Sequence, residues 1–320
     1  MAMQLIRFRL KPKTAWMTPW QADTIGGLLA ALYARAAKAG EAEAELLDPW
    51  RRGQPNLVVS DAFPGDFLPA PANFSELAGI GEQDRKKVRT LAWLTREEFG
   101  ALQRGKSPAL LDHGRKPPYR DTVRLRNSVD RAVNSTGESG TLYEAAGQML
   151  ASSGTLSIYA RVAADRVAWA ASLFALLAEN GFGADTAVGA GEVEVDGSPE
   201  VIGDLEPPEA TDGWISLSTF QPATADPTEG YWRSFMKYGK LGPDFALASV
   251  FKRPQWMLRA GARFRETGER RDWYGHWIGA DNLLPDKLRK EAEAAGLRLG
   301  QPAYAVALPF RWATTDATSV

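Results

Sequence analysis

Four glycines, Gly181, Gly183, Gly189 and Gly191, stand in the segment ENGFGADTAVGAGEVEV between Glu179 and Val195. Glycine at such density lets a main chain come close to a polyanion, because amides can approach phosphate oxygens with no side chain in the way. A nucleotide cradle needs its glycines between a strand and the helix that follows, where phosphates meet the helix amino terminus. Here the helical pattern comes first, and the segment holds no Gly-Lys-Ser/Thr triplet to supply a lysine and a magnesium ligand. The loop meets the negative end of a helix dipole, which argues against nucleotide hydrolysis. An extended polyanion, or a plain helix stop followed by a turn, stays open.

Other groups able to grip such a polyanion lie in two basic stretches. HGRKPPYRDTVRLRNSVDR concentrates Arg115, Lys116, Arg120, Arg124, Arg126 and Arg131, and FKRPQWMLRAGARFRETGERR concentrates Lys252, Arg253, Arg259, Arg263, Arg265, Arg270 and Arg271. Each patch alone is equally a solvated face. Net charge is −1 and the pI is near 6.2, so any nucleic-acid role rests on these patches and not on a global field. Arg126, Asn127, Ser128, Arg131, Asn134, Ser135 and Tyr143 combine cations, hydroxyls, amides and a planar ring, the groups that hold single-stranded RNA. Asn127 and Asn134 also suit turns, and Asp130 with Arg131 suits a local ion pair. Lys237, Tyr238 and Lys240 in YWRSFMKYGKLG form a second set, or else a surface turn. There is no cysteine, which excludes disulfides, zinc ribbons, iron–sulfur clusters and thiol catalysis, and His113 and His276 alone cannot build a histidine metal site. No metal or cofactor is expected.

These groups must be positioned by regular elements. Ile6, Phe8 and Leu10 alternate with Arg7 and Arg9, as in a half-buried strand; Asp23 or Thr24 can then cap a helix carrying Leu28, Leu29, Leu32 and Tyr33. Leu57–Ser60 reads as a buried strand, Arg96–Gln103 as a helix, and Thr122–Tyr143 as a strand with a protruding loop or hairpin. TLSIYARV is a strand, a helix follows with Val167, Ala171, Phe174 and Leu177 on one face, and EVEVD closes the unit. This α+β order is a ferredoxin-like (RRM-like) βαββαβ domain over residues 1–200 with an insertion at about 61–150. Past a turn-rich linker, WISLSTF, ALASVFK, QWMLRAGARF and AYAVALPF read as strands and PDKLRKEAEAAG as a helix. They outline a second, distorted ferredoxin-like domain over residues 201–320. The amino terminus lacks a signal-peptide core and no stretch is long enough to span a bilayer, so the chain is read as cytoplasmic, with no membrane partner.

Gly-Phe-Gly, five residues, then Gly-Ala-Gly between the second helix and last strand resembles the glycine-rich loop of the RAMP superfamily of CRISPR proteins. QADTIGGLLAALY, VVSDAFPGDFLPAP and RNSVDRAVNSTGESGTLYE resemble, in order, motifs of the fourth subunit of the type III-A Csm effector over most of residues 1–200. The carboxy-terminal part matches only diffusely. The resemblance implies a noncatalytic RNA-binding subunit for antiviral defence. It grips the repeat-derived 5′ tag of CRISPR RNA, caps the filament base, and docks the large polymerase-like subunit beside a backbone RAMP subunit. Target RNA is contacted only indirectly. Gln21, the four glycines, the Arg126–Tyr143 set, Lys237, Tyr238, Lys240, Lys252 and Arg253 become its expected RNA contacts, and Trp273 and Trp277 an interface with the large subunit. Two departures stand out. ADTAV between the glycine pairs carries no cation, leaving contact to main-chain amides, and Gln21 replaces a frequent histidine, so it can hydrogen-bond but cannot move a proton. The alternative is a RAMP-type endoribonuclease that cuts CRISPR precursor RNA, with His113 or His276 as its acid or base.

Overall fold

A computed structural model describes residues 3–77, 91–106, 118–127, 129–130, 135–136, 142–207, 211–242 and 249–312. The first strand, β1 (Met3–Pro12), buries Leu5, Ile6, Phe8 and Leu10. Arg7 is buried as well, contrary to the alternation, because Asp66 and Glu200 hold its guanidinium. Helix α1 (Ala22–Ala36) turns Ile25, Leu29, Leu32 and Tyr33 inward. Neither Asp23 nor Thr24 caps it: Gln21 is the cap residue and its side chain makes no bond to the helix's first amides, and the first amide, Ala22, donates to Asp61 Oδ1 at 2.8 Å. The chain continues through β2 (Leu57–Pro64) and α2 (Arg96–Gln103), whose reciprocal Thr95–Glu98 capping box fixes the expected start. A long hairpin follows, β3 (Tyr119–Asn127) paired in register with β4 (Leu142–Leu150). Then come β5 (Leu156–Ala163), α3 (Val167–Asn180), β6 (Val193–Val195) and β7 (Glu200–Val201). The buried face of α3 is Ala170, Leu173, Phe174 and Leu177, rotated from the expected one at its start.

The first sheet runs β6-β1-β5-β2, all antiparallel, with β7 pairing β1 beside β6. The second half contributes β8 (Gly213–Ser216), β9 (Gly230–Tyr231), β10 (Ser234–Lys237), β11 (Gln255–Leu258), β12 (Arg263–Arg265), β13 (Trp273–Gly279), α4 (Asp286–Ala294) and β14 (Gly300–Phe310). Its sheet is ordered β9-β12-β8-β14-β13, while β10 and β11 form a separate ribbon. QWMLRAGARF is therefore two strands, broken at Gly261, whose φ of +90° and approach to the Ala70 carbonyl only glycine allows. ALASVFK is not seen as a strand: part lies outside the described residues, and Phe251 makes only an isolated bridge to Lys240.

One hydrophobic core joins the halves. Phe8, Leu29 and Phe174 belong to the same buried cluster as Leu217, Val306 and Phe310, and β14 lies against both α1 and β2. The chain is thus a mixed helix and sheet fold in which the second half closes over the first. Among the described residues, no helix is long and apolar enough to cross a membrane.

Candidate nucleic-acid interface

The glycine loop leaves α3 through Gly181, whose φ is +77° and whose amide donates to the Leu177 carbonyl at 2.8 Å. Phe182 then turns inward and stacks on Trp20, centroids 3.6 Å apart. Much of the loop's donor capacity is committed inside the protein. Phe182 donates to the Gly191 carbonyl, Gly191 to Ala15, Gly189 to Thr186, and Ala190 to Asp185, all between 2.8 and 3.1 Å. Thr18 Oγ1 accepts from Ala184 at 2.9 Å, and Thr14 Oγ1 from Glu192 at 3.0 Å. The amides of Gly181, Gly189 and Gly191 are therefore not open to a polyanion. Gly191 is required by packing, since a Cβ there would sit 2.0 Å from the Phe182 carbonyl oxygen at a φ of +68°. The expectation of an open row of glycine amides gives way to a stiff, internally bonded loop.

Electrostatics enter through the hairpin. Arg126 Nη1 lies 2.8 Å from Oδ2 of Asp185, the acid in ADTAV, and this bond raises the guanidinium's already high pKa. Tyr143 is the direct cross-strand partner of Arg126 and is half exposed. Asp185 has a φ of +67° and is the non-glycine residue in the left-handed region among those described. The hairpin and glycine loop thus meet through a carboxylate that the sequence reading did not single out. Val123, Leu125 and Leu142 leave the hairpin's apolar surface exposed. Asn127 is exposed at the end of β3. Ser135 begins a two-residue strand paired with Val129–Asp130. Ser128, Arg131, Asn134 and His113 lie outside the described residues.

Gln21, Lys237 and Lys252 come together in a different place, at the amino terminus of α1. Lys237 Nζ donates to Gln21 Oε1 at 2.7 Å, Asp23 Oδ1 at 2.6 Å and Thr24 Oγ1 at 2.8 Å, which uses all three ammonium protons. Gln301 Nε2 donates to Asp23 Oδ2 at 2.7 Å, and Gln301 Oε1 accepts from Lys252 Nζ at 2.9 Å. Burial pushes Lys252 down to about 8, against the pull of Asp23. Asp61 stands beside this cluster. Its Oδ1 accepts from the Ala22 and Thr219 amides and its Oδ2 from the Thr219 hydroxyl, at 2.7 to 2.8 Å. Part of the residue reaches the surface, but the carboxylate is enclosed, and burial raises it to about 6 despite its donors. These polar groups tie α1 to the second half; Gln21, Lys237 and Lys252 are engaged there and not free.

The remaining expected contacts diverge. Tyr238 is 78% exposed, and Lys240 stands 5.2 Å from the Phe251 ring centroid. Arg253 is engaged with Asp286 at 2.8 Å and the Asp281 carbonyl at 3.0 Å. His276 is half-buried in β13 opposite Ala303, where burial lowers its pKa. Trp273 and Trp277 pack against the protein's own core, Trp277 stacking on Trp50 at 6.1 Å with Arg51 over its ring, so Trp277 is not the free interface residue expected. A ring stack inside one chain leaves the same aromatic composition in the sequence as an exposed one. Among the described residues, no group of three or more histidine, cysteine, aspartate or glutamate side chains is arranged to hold a metal ion.

No protein-family profile matches the sequence, and no curated protein matches it. Solved structures do. A chain in the crystal structure of a Csm1–Csm4 cassette with pppApA is 18% identical, with 96% of this chain and 98% of that one covered, at a TM-score of 0.61. The cassette with AMPPNP gives 18%, 99%, 100% and 0.57. A Csm3–Csm4 subcomplex of the type III-A CRISPR-Cas interference complex gives 12%, 97%, 100% and 0.59. Along almost its whole length, the chain has the fold of a subunit found in type III-A Csm assemblies.

Proposed function

We propose that this chain is the Csm4-type, noncatalytic subunit of a type III-A CRISPR effector. It binds the repeat-derived 5′ tag of CRISPR RNA, caps the filament base, and docks the large polymerase-like subunit and the adjacent backbone subunit in the cytoplasm. The observation that carries this reading is the near-complete coverage, in both directions, of chains from Csm1–Csm4 and Csm3–Csm4 assemblies. The first sheet's strand order, with α1 and α3 as crossovers, supports reading that half as ferredoxin-like, and the second half as its distorted counterpart. The meeting of Arg126 with the glycine loop, with Tyr143 opposite Arg126 across the hairpin, supplies a cation and a planar ring near the edge of that unit, as a single-strand grip requires.

The test is co-expression with a large polymerase-like subunit, a backbone RAMP subunit and a CRISPR array. The expected product is a complex carrying tagged CRISPR RNA, formed without any cutting of repeat RNA by this chain. Arg126→Ala with Arg131→Ala should weaken retention of the tag. Failure to co-purify with either subunit or with RNA overturns the reading, and repeat cleavage abolished by His113→Ala replaces it with the endoribonuclease.

A further inference from the structure

The β10–β11 ribbon presents an unusual outer face. Along β10, side chains alternate: Phe235 and Lys237 turn toward the protein, whereas Met236 is 47% exposed and Tyr238, the next residue on that side, 78%. Met236 faces Trp256 directly across the ribbon, and Trp256 is 43% exposed although Met257 and Leu258 beside it are buried. Phe251, bridged to Lys240, extends the same apolar surface. Rings left in water on a paired ribbon are not explained by the core, which the inward side chains already fill.

Charge selects the occupant. Between Gly230 and Arg265 the sequence carries eight lysines and arginines against one acid, Asp244. Several of those cations are engaged elsewhere, and Arg259 stands over Phe235 on the inward side; Arg233 and Lys240 are exposed and have no carboxylate partner among the described residues, and Lys240 stands over the exposed Phe251 ring. A protein partner would need carboxylates opposite Arg233 and Lys240. An extended nucleic acid supplies one phosphate per step, and its bases meet rings spaced two strand residues apart, about 6.6 Å. Sequence-tolerant stacking flanked by cations is the physics of single-strand binding.

We propose that the outer face of this ribbon, with Met236, Tyr238, Phe251 and Trp256 flanked by Arg233 and Lys240, is a stacking platform for the bases of single-stranded RNA. This rests on the RNA-binding reading above and extends it to a surface of the second half, separate from the Arg126 contact with the glycine loop. The experiment compares the full chain with Trp256→Ala and Tyr238→Ala in anisotropy titrations. The probes are a labelled short oligoadenylate and an abasic oligomer of the same length. Each substitution should weaken oligoadenylate binding by about tenfold and leave abasic binding unchanged, with Trp256→Tyr near wild type. Unfolding midpoints matched to wild type are expected, since both side chains lie outside the core.

Wild-type protein that binds neither probe overturns the RNA-binding reading and this proposal together. If the wild type binds oligoadenylate and the alanine variants bind it equally well, the platform alone is overturned. Unchanged RNA affinity combined with lost association with the large or backbone subunit makes the ribbon a protein interface, and also overturns it.

Discussion

Replacing Asp61 with asparagine removes a specific dependence of stability on pH. The carboxylate is enclosed at the junction of α1 and the second half, and its partners are two amides and one hydroxyl, with the charge of Asp23 nearby. Burial raises it from 3.8 to about 6. The folded chain therefore holds a proton between those values that the unfolded chain has lost. The resulting stabilisation is fully present below 3.8, disappears as pH rises through about 6, and is absent at neutral pH. At 1.36 kcal/mol per pKa unit, the displacement corresponds to about 3 kcal/mol between the two ends of the window. Asparagine resembles the protonated acid: its oxygen can accept from the Ala22 and Thr219 amides, and its nitrogen can donate to the Thr219 hydroxyl oxygen. Glu194 and Glu200, whose pKa values are lowered by hydrogen bonds from Lys13 and Arg7, act in the opposite sense, stabilising above their unfolded pKa and ceasing to do so in acid. They are common to both proteins, so the difference between urea midpoints of wild type and D61N, measured from below pH 4 to above pH 7, isolates Asp61. The variant should gain on wild type as pH rises through about 6, with D61N at least as stable at pH 7. Equal slopes, or a D61N protein clearly less stable at pH 7, would refute the burial argument.

Gly191→Ala should prevent the loop from forming, because its Cβ would overlap the Phe182 carbonyl, whereas Gly189→Ala, with open space at a φ of +79°, should cost only about 1–3 kcal/mol by thermal unfolding. Asp185→Asn keeps a residue that tolerates the left-handed conformation and releases Arg126 from its carboxylate, so single-stranded RNA should bind severalfold tighter with a steeper salt dependence in anisotropy titrations. Lys237→Met leaves Asp23 buried without its cation and should destabilise by about 3–5 kcal/mol in urea unfolding, with Asp23→Asn in the same chain recovering much of the loss.

What the sequence disclosed was governed by local pattern. The strand pattern of β1, the extent of α2 and the glycine stop of α3 are decided within a few residues, and each element forms where its pattern lies, although β1 buries Arg7 against its alternation. The candidate interface was legible only as residue types. Lys237 and Lys240 are three positions apart, yet the first is drawn inward to a carboxylate more than two hundred residues earlier, while the second stays on the surface. Strand alternation cannot choose between these fates, because which side of β10 meets α1 depends on how the second half closes over the first. The same holds for Asp185. Missing positive charge in ADTAV suggested a loop acting through its amides, but the negative charge there was the informative signal, since it marks where Arg126 arrives from the hairpin. A polar residue in a glycine loop takes its meaning from what the tertiary fold brings opposite it. Amide donors in such a loop are likewise open to a ligand only after Ala15, Thr14 and Thr18 have taken their share. Acids far away in the chain therefore decide which cations stay available: Asp23 takes Lys237 into the joint between the halves, and Asp185 takes Arg126.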